Sequence, residues 1–261
     1  MAVVFFDIYG TLWDENMIVP ESTKYAIRQL QNNGHKAFVC TGRAMANVND
    51  PQFDEIGFDG FIAACGNHVE MNGEVLHESI LSYDVVKKIY DVSRVCRMPI
   101  IYEGPKYQWL DRDGFEGDPY IDYIVENLRD AAVFLDECDL KEIYVNKFSA
   151  LAHEDTDYAG VKRQLEDEFV FLDHGGGVIE AVPVGTSKAT GIAWICNYLG
   201  IKKEDTYAIG DSINDLEMLT FAGHSIAMGN ATDVAKEAAE YITTDIHEDG
   251  ILNALKHYEL I

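Results

Sequence analysis

The sequence predicts an α/β protein in which a core of alternating strands and helices is interrupted by a smaller α+β segment. Three observations support this. Residues 1–81 and 184–261 alternate short apolar runs with helical stretches, the order that builds a parallel sheet. Residues 82–183 have another texture, paired β runs joined by turns and spaced by helices, which suits an antiparallel sheet with helices on one face. A chain of 261 residues is also long enough for one large core or for two unequal domains.

The elements follow in order. Residues 2–6 form an apolar strand that breaks at Asp7. A helix is expected over 22–31, with Pro20 before it and Asn33-Gly34 as its stop. Residues 35–40 make the next strand, ending at Thr41-Gly42-Arg43, and 61–64 a third. "HVEMNGEVLH" reads as a hairpin, because Asn72-Gly73 supplies the two positive-φ positions of a tight turn between alternating residues. In the interrupting segment a helix over 83–97 precedes two β runs about Gly104-Pro105. A helix over 119–128, a strand over 141–148, a helix over 155–168 and strands over 169–173 and 177–182 complete it. The α/β alternation then resumes: a helix from Ser187, a strand over 206–209 ending in "GDSIND", a helix, and a strand over 225–228. A helix over 233–239, "YITT" and a final helix close the chain.

Composition excludes several classes of function. A net charge of −25 repels nucleic acid and anionic lipid, which are bound by neutralising phosphate with Lys and Arg. Any chemistry on a phosphate therefore needs cations placed at the site. No apolar run is long enough to span a bilayer, and the N-terminus does not read as a signal peptide. Cys40, Cys65, Cys96, Cys138 and Cys196 are scattered without a CxxC pair, the pattern of reduced thiols in a cytoplasmic protein.

Four short motifs lie at ends of core strands or at the start of a core helix, where open α/β sheets bind ligands. Asp7 follows the first strand and Thr41-Gly42 the second. Lys188 opens the helix after the insert, and Asp211, Asn214 and Asp215 share one tight turn. Each also has an ordinary reading: a turn or helix cap for the carboxylates, a plain turn for Thr-Gly, and a solvated cation for Lys188. Their order and joint placement are what single them out.

"FFDIYGTL", "VCTGR", "SKATGI" and "AIGDSINDLEML" resemble the four motifs of the haloacid dehalogenase-like hydrolases, and "GHSIAMGNATDVAKEAAEYIT" resembles the segment after the fourth. The resemblance spans nearly the whole chain and is strongest to the Cof-type phosphatases, whose cap lies between motifs two and three. The short interval from Asp7 to Thr41 holds one helix and one strand. The long one from Thr41 to Lys188 has room for the insert.

This resemblance implies a Rossmann-like, doubly wound parallel core (1–81 and 184–261) carrying an inserted α+β cap (82–183). It implies Mg²⁺ as cofactor and a small phosphorylated metabolite, commonly a sugar phosphate, as substrate. Asp7 would attack phosphorus. Asp7, the main-chain carbonyl of Tyr9 and Asp211 would ligate the metal, with Asp215 orienting that shell. Thr41, the Gly42 amide, Lys188 and Asn214 would hold the transferring oxygens, and Gly10 and Arg43 belong to the same phosphate-binding set. Arg43 has the alternative of pairing with a core helix. Oligomeric state is not legible.

Tyr9 departs from the pattern, since the family's phosphatases carry there an Asp that protonates the leaving oxygen and then activates water. A phenol that ordinarily titrates near pH 10 is no base at neutral pH. Three readings stay open: a phosphatase whose substrate leaves easily or which recruits another acid (Asp14, Glu15 or His68), a haloacid dehalogenase, or a non-catalytic binder of a phosphorylated metabolite. Tyr107 and Trp109, at alternate positions of a strand, either select substrate or pack against helices. Gly175-Gly176-Gly177 is expected to be a flexible turn, and His35, His77 and His257 surface or packing residues.

Overall fold

A computed structural model describes residues 1–48, 50–112 and 119–261. The chain divides into two compact units. The first comprises Met1–Gly42, Asn49–His77 and Ser187–Ile261, the second Arg43–Val48 and Glu78–Thr186. The second unit thus runs a few residues past the expected insert at each end and includes the short segment after Gly42.

In the first unit the chain forms β1 (Val3–Phe6), α1 (Glu21–Asn32), β2 (Lys36–Cys40), α2 (Pro51–Ile56), β3 (Gly60–Ala63), β4 (His68–Met71) and β5 (Glu74–Glu78). All four residues of β1 are buried, the uninterrupted apolar run of a strand covered on both faces. The Asn72-Gly73 turn between β4 and β5 has φ of 52° and 76°, as its sequence demands.

The second unit holds α3 (Tyr83–Cys96), β6 (Ile100–Glu103), β7 (Gln108–Leu110), α4 (Pro119–Leu128), β8 (Ala132–Phe134), β9 (Lys147–Leu151), α5 (Tyr158–Leu165), β10 (Phe169–Asp173) and β11 (Val178–Pro183). The chain then returns to the first unit with α6 (Lys188–Leu199), β12 (Thr206–Gly210), α7 (Leu216–Phe221), β13 (His224–Ala227), α8 (Asp233–Ala238), β14 (Tyr241–Ile242) and α9 (Gly250–His257).

Among the described residues, the first unit's sheet runs β14-β13-β12-β1-β2-β3-β4-β5, parallel from β14 through β3, with β4 antiparallel to β3. Helices cover both faces: α1 packs with α2 and α9, while α6, α7 and α8 pack in sequence. The chain builds β1, β2 and β3 outward to one side, then returns to lay β12, β13 and β14 on the other. The winding therefore reverses between β1 and β12, which places the topological switch point at their carboxyl ends. Asp7 and Asp211 are the residues that follow those two strands.

The second unit's sheet runs β10-β11-β9-β6-β7-β8 and is antiparallel except where β7 meets β8. Ile100, Tyr102, Trp109, Phe148 and Ala150 face α3 and α5, while Ile101, Leu110 and Leu151, one residue on in each strand, pack with Ile121 of α4. The expectation of helices on one face is thus corrected, because the apolar stripe Ile121, Ile124, Val125 covers the other side.

The strand expected over 141–148 is β9, displaced to Lys147–Leu151. Residues before it turn instead, with the Glu142 amide on the Asp139 carbonyl and the Asn146 amide side chain on Glu78 and Ser79. Trp109 is a core residue, so packing accounts for it, and its ring lies 6.0 Å from that of the half-exposed Tyr107. Gly175, Gly176 and Gly177 all have positive φ in the turn joining β10 to β11, which explains three glycines in succession.

Candidate active site

The position of Asp7 is set by sheet register. Phe6 pairs with Ile209, and the Asp7 amide continues the ladder by donating to the Ile209 carbonyl at 3.0 Å. The chain then curls back. Leu12 and Trp13 donate to the Ile8 carbonyl and Gly10 donates to the Trp13 carbonyl at 2.8 Å. Trp13 stacks on Phe53 at 5.3 Å, which anchors the turn in the core. Gly10 has φ +80°, and a Cβ there would strike the Asp211 carboxylate. Only glycine satisfies both the backbone and that close approach.

Lys188 is the first residue of α6, held by a capping box between Ser187 and Thr190. Its Nζ donates to Asp7 Oδ1 at 2.5 Å and to Asp215 Oδ1 at 2.6 Å. Burial would lower the Lys188 pKa, but the carboxylates of Asp215 and Asp7 outweigh it and hold the ammonium well above its usual range. Asp215, fully buried, also accepts from the Asp211 and Ser212 amides through Oδ2 at 2.9 and 3.0 Å. One carboxylate therefore fixes the cation and the turn that carries Asp211.

Asp7, Asp211 and Asp215 bring carboxylate oxygens within 4.8 Å of one another. Burial, then Asp215, push the Asp7 carboxyl up to about 6 against the pull of Lys188. Burial, then Asp7 and Asp215, push Asp211 up to about 7 against the Thr11 hydroxyl and Lys188. One ammonium thus faces three acids, and the uncompensated negative charge in an all-oxygen donor set fits a hard divalent cation.

The other expected residues divide. Thr41, buried after β2, donates its amide to the Ile62 carbonyl at 2.8 Å and accepts from the Cys65 amide at 3.2 Å. Because β1 and β2 are parallel neighbours with Phe6 opposite Val39, Thr41 emerges at the same sheet end as Asp7. Gly42 and Arg43 follow it, both half-buried, and Arg43 opens the short segment grouped with the second unit. Asn214 accepts the Ser212 hydroxyl at 2.5 Å, so its carbonyl oxygen is engaged within its own turn.

The side chain of Tyr9 is 53% exposed. Each candidate replacement for the missing acid is engaged elsewhere. Asp14 accepts from the Ile18 and Asn16 amides, and the Ile18 bond in particular holds its carboxyl below the usual range, the wrong direction for an acid. Glu15 pairs with His247 at 2.9 Å, and buried His68 lies 3.3 Å from Glu70.

Sequence reasoning missed three contributors. Thr11 Oγ1 donates to Asp211 Oδ1 at 3.3 Å, Thr232 donates its amide to the Asp211 carbonyl at 2.8 Å, and Asn230 Nδ2 donates to the Gly10 carbonyl at 2.7 Å. Asn230 and Thr232 lie in "GNATD", within the segment after the fourth motif, and Thr11 in the first motif, but nothing in the residue types marks any of the three for this site.

A family model described as haloacid dehalogenase-like hydrolase matches residues 4–255. The 5-amino-6-(5-phospho-D-ribitylamino)uracil phosphatase YitU of Bacillus subtilis is 29% identical over 274 residues, covering 98% of this chain and 97% of its own. A hypothetical protein of Geobacillus kaustophilus superposes with a TM-score of 0.87 at 31% identity, covering 100% of this chain and 99% of that one. The subclass IIB sugar phosphatase BT4131 gives a TM-score of 0.81 at 27% identity, covering all of both chains. With the matched model spanning nearly all of the sequence and the core carrying the same Rossmann-like architecture, this chain belongs to the haloacid dehalogenase-like hydrolases, in their Cof-type group of phosphatases.

Proposed function

We propose that the protein is a Mg²⁺-dependent phosphatase that hydrolyses a small phosphorylated metabolite, a sugar phosphate or a related ester, through an aspartyl-phosphate on Asp7. The observation that carries this reading is the buried chain Asp7–Lys188–Asp215, with Asp211 beside it. A surface ion pair contributes little to stability. Two acids and a lysine enclosed at a sheet switch point have, by contrast, the geometry of a site that handles a dianion.

Asp7 attacks phosphorus with a carboxylate oxygen. The new O–P bond forms as the ester O–P bond breaks, and the leaving oxygen takes a proton from solvent. Water then attacks phosphorus, the Asp7–phosphate bond breaks, and inorganic phosphate departs. Lys188 holds Asp7 in place and offers its charge to the phosphoryl oxygens. Thr41, the Gly42 amide, Gly10, Asn214 and Arg43 are assigned to the same oxygens, and phosphoryl transfer is largely such positioning and charge stabilisation. Asp7, Asp211 and the main-chain carbonyl of Tyr9 would hold the cation, with Asp215 orienting them. When bound, the cation neutralises the carboxylate and the incoming phosphate. Tyr9 replaces the usual acid–base Asp, so on this reading the wild type turns over a sugar phosphate slowly and an ester with a better leaving group faster. Residues 82–183 are assigned as the family's cap, the part that varies with substrate.

The test is phosphate release from p-nitrophenyl phosphate and from a panel of phosphorylated metabolites, with and without Mg²⁺. Turnover that requires Mg²⁺ and vanishes in Asp7→Asn is expected. Tight binding of one panel member without turnover by the wild type would replace the enzyme with a sensor. Chloride release from a 2-haloacid without metal would make it a dehalogenase.

A further inference from the structure

Three consecutive residues after β3 have positive φ: Ala64 at 50°, Cys65 at 53° and Gly66 at 83°. Two of them carry side chains that disfavour this conformation. Such strain persists only where surrounding structure over-determines it, and it concentrates at functional sites. Here both sides of the turn are gripped. Cys65 donates its amide to the Thr41 carbonyl at 3.2 Å, while Asn67 closes the turn by donating its side-chain amide to the Ala64 carbonyl at 2.7 Å. On the other side Gly66 lies against the first turn of α6. A Cβ on Gly66 would collide with the Ser187 carbonyl and meet the Gly191 nitrogen at 2.9 Å. The approach is reciprocal: a Cβ on Gly191 would collide with Ile62 Cγ2 and meet Gly66 Cα at 2.9 Å.

Backbone therefore meets backbone with no side chain between, at the helix turn that carries Lys188. We propose that the left-handed turn Ala64–Gly66 is a positioning element that fixes Lys188 relative to Asp7 and Thr41, and that Gly66 and Gly191 are positioning residues that let it seat directly on α6. The role assigned to Lys188 rests on the phosphatase reading; the seating of α6 does not. In this left-handed conformation residue 66 reaches the helix backbone itself. A helix held off by one methyl group moves Lys188 by a distance comparable to the difference between a hydrogen bond and none.

The test compares Gly191→Ala, Ile62→Ala and the double variant Gly191→Ala/Ile62→Ala. The added methyl pushes α6 away, whereas truncating Ile62 removes the atom it strikes. For Gly191→Ala we expect a loss in kcat for p-nitrophenyl phosphate of about 100-fold, the scale of an ångström misplacement, with a smaller change in KM. Its crystal structure is expected to show Lys188 Nζ out of bonding distance of Asp7 Oδ1. The double variant should recover part of kcat relative to Gly191→Ala, while Ile62→Ala alone should lose melting temperature with little loss in kcat, a divergence that a merely structural role does not give. Wild-type kcat in folded Gly191→Ala, or an unchanged Lys188–Asp7 bond in its structure, overturns the proposal. Should Gly191→Ala not fold, the double variant is compared with Ile62→Ala: a lower kcat supports the proposal and an equal one overturns it. If the wild type hydrolyses no phosphate ester, the catalytic reading fails, and the Lys188–Asp7 separation in the variant still decides the positioning.

Discussion

Tyr9 is the residue on which the chemistry turns, and its two halves do different things. Its backbone sits in the turn closed by Gly10 and Trp13, which any side chain at residue 9 would leave intact, while its phenol points to solvent. Replacing it by Asp should therefore add an acid–base group without disturbing the carboxylates beneath. General acid–base help is worth roughly 10²–10⁴-fold, so Tyr9→Asp should raise kcat toward alkyl phosphates within that range. If, as proposed, the reaction runs through Asp7 with no base at residue 9, rapid acid quench of the wild type with labelled substrate should trap phosphate on Asp7, and the variant should trap less. A fall in activity on substitution would show that the phenol has a function of its own. Asp7, Lys188, Asp211 and Asp215 were legible because each is an ionisable residue at the edge of an apolar element. Thr11, Asn230 and Thr232 were not, because small polar residues are common in turns and only the tertiary fold brings them to Gly10 and Asp211.

The elements were legible to the extent that their periodicity was unambiguous. β1, β2 and the Asn72-Gly73 hairpin followed from apolar runs and turn chemistry, and α4 from its stripe. β9 was misplaced because 141–148 mixes charged and apolar residues, and only the partners of Lys147 decide where the strand begins. Lys147, buried, pairs with Glu103 and Glu180 at 2.9 Å each, and His174 beyond the end of β10 closes the row on Glu180 at 2.9 Å. Burial alone would raise the Glu180 carboxyl, yet Lys147 and His174 together hold it well below the usual range. The Glu180 bond raises His174 despite partial burial. The two signs differ. Stability from Glu180 is complete above the ordinary carboxyl range, near 4.3, and is lost as pH falls through its depressed value. Stability from His174 is complete below about 6.5 and is lost as pH rises through its elevated one. His174 is partly exposed, so its pair contributes no more than about 1 kcal/mol, or roughly 2–4 °C at this chain length. The melting difference between wild type and His174→Gln should accordingly be largest near pH 5.5 and shrink by pH 8.5, measured by calorimetry. A difference that does not vary with pH would assign the effect to packing.

At the scale of the whole molecule, composition said what the protein avoids and the fold says where it makes an exception. A chain with net charge −25 encloses one lysine among three carboxylates at the single point where the winding of its sheet reverses. The change of texture at each end of residues 82–183 set the two-part expectation, and the chain divides into two compact units. The wrapping of helices on both faces of the inserted sheet was not readable, since a stripe on one helix does not say which face it covers. That arrangement gives the second unit apolar clusters of its own on both faces of its sheet. Its antiparallel sheet is faced by one apolar cluster around Tyr102, Trp109 and Phe148 and by another around Ile101, Leu110 and Ile121. At roughly 110 residues it falls in the ordinary range for a domain that folds alone. Residues 78–186, expressed without the rest, should therefore melt in one cooperative transition and keep the fluorescence of a buried Trp109. They should do so regardless of Mg²⁺, because Asp7, Asp211 and Asp215 all lie in the other unit. A broad, uncooperative melt with Trp109 quenched by solvent would show that this sheet depends on the first unit for its folding.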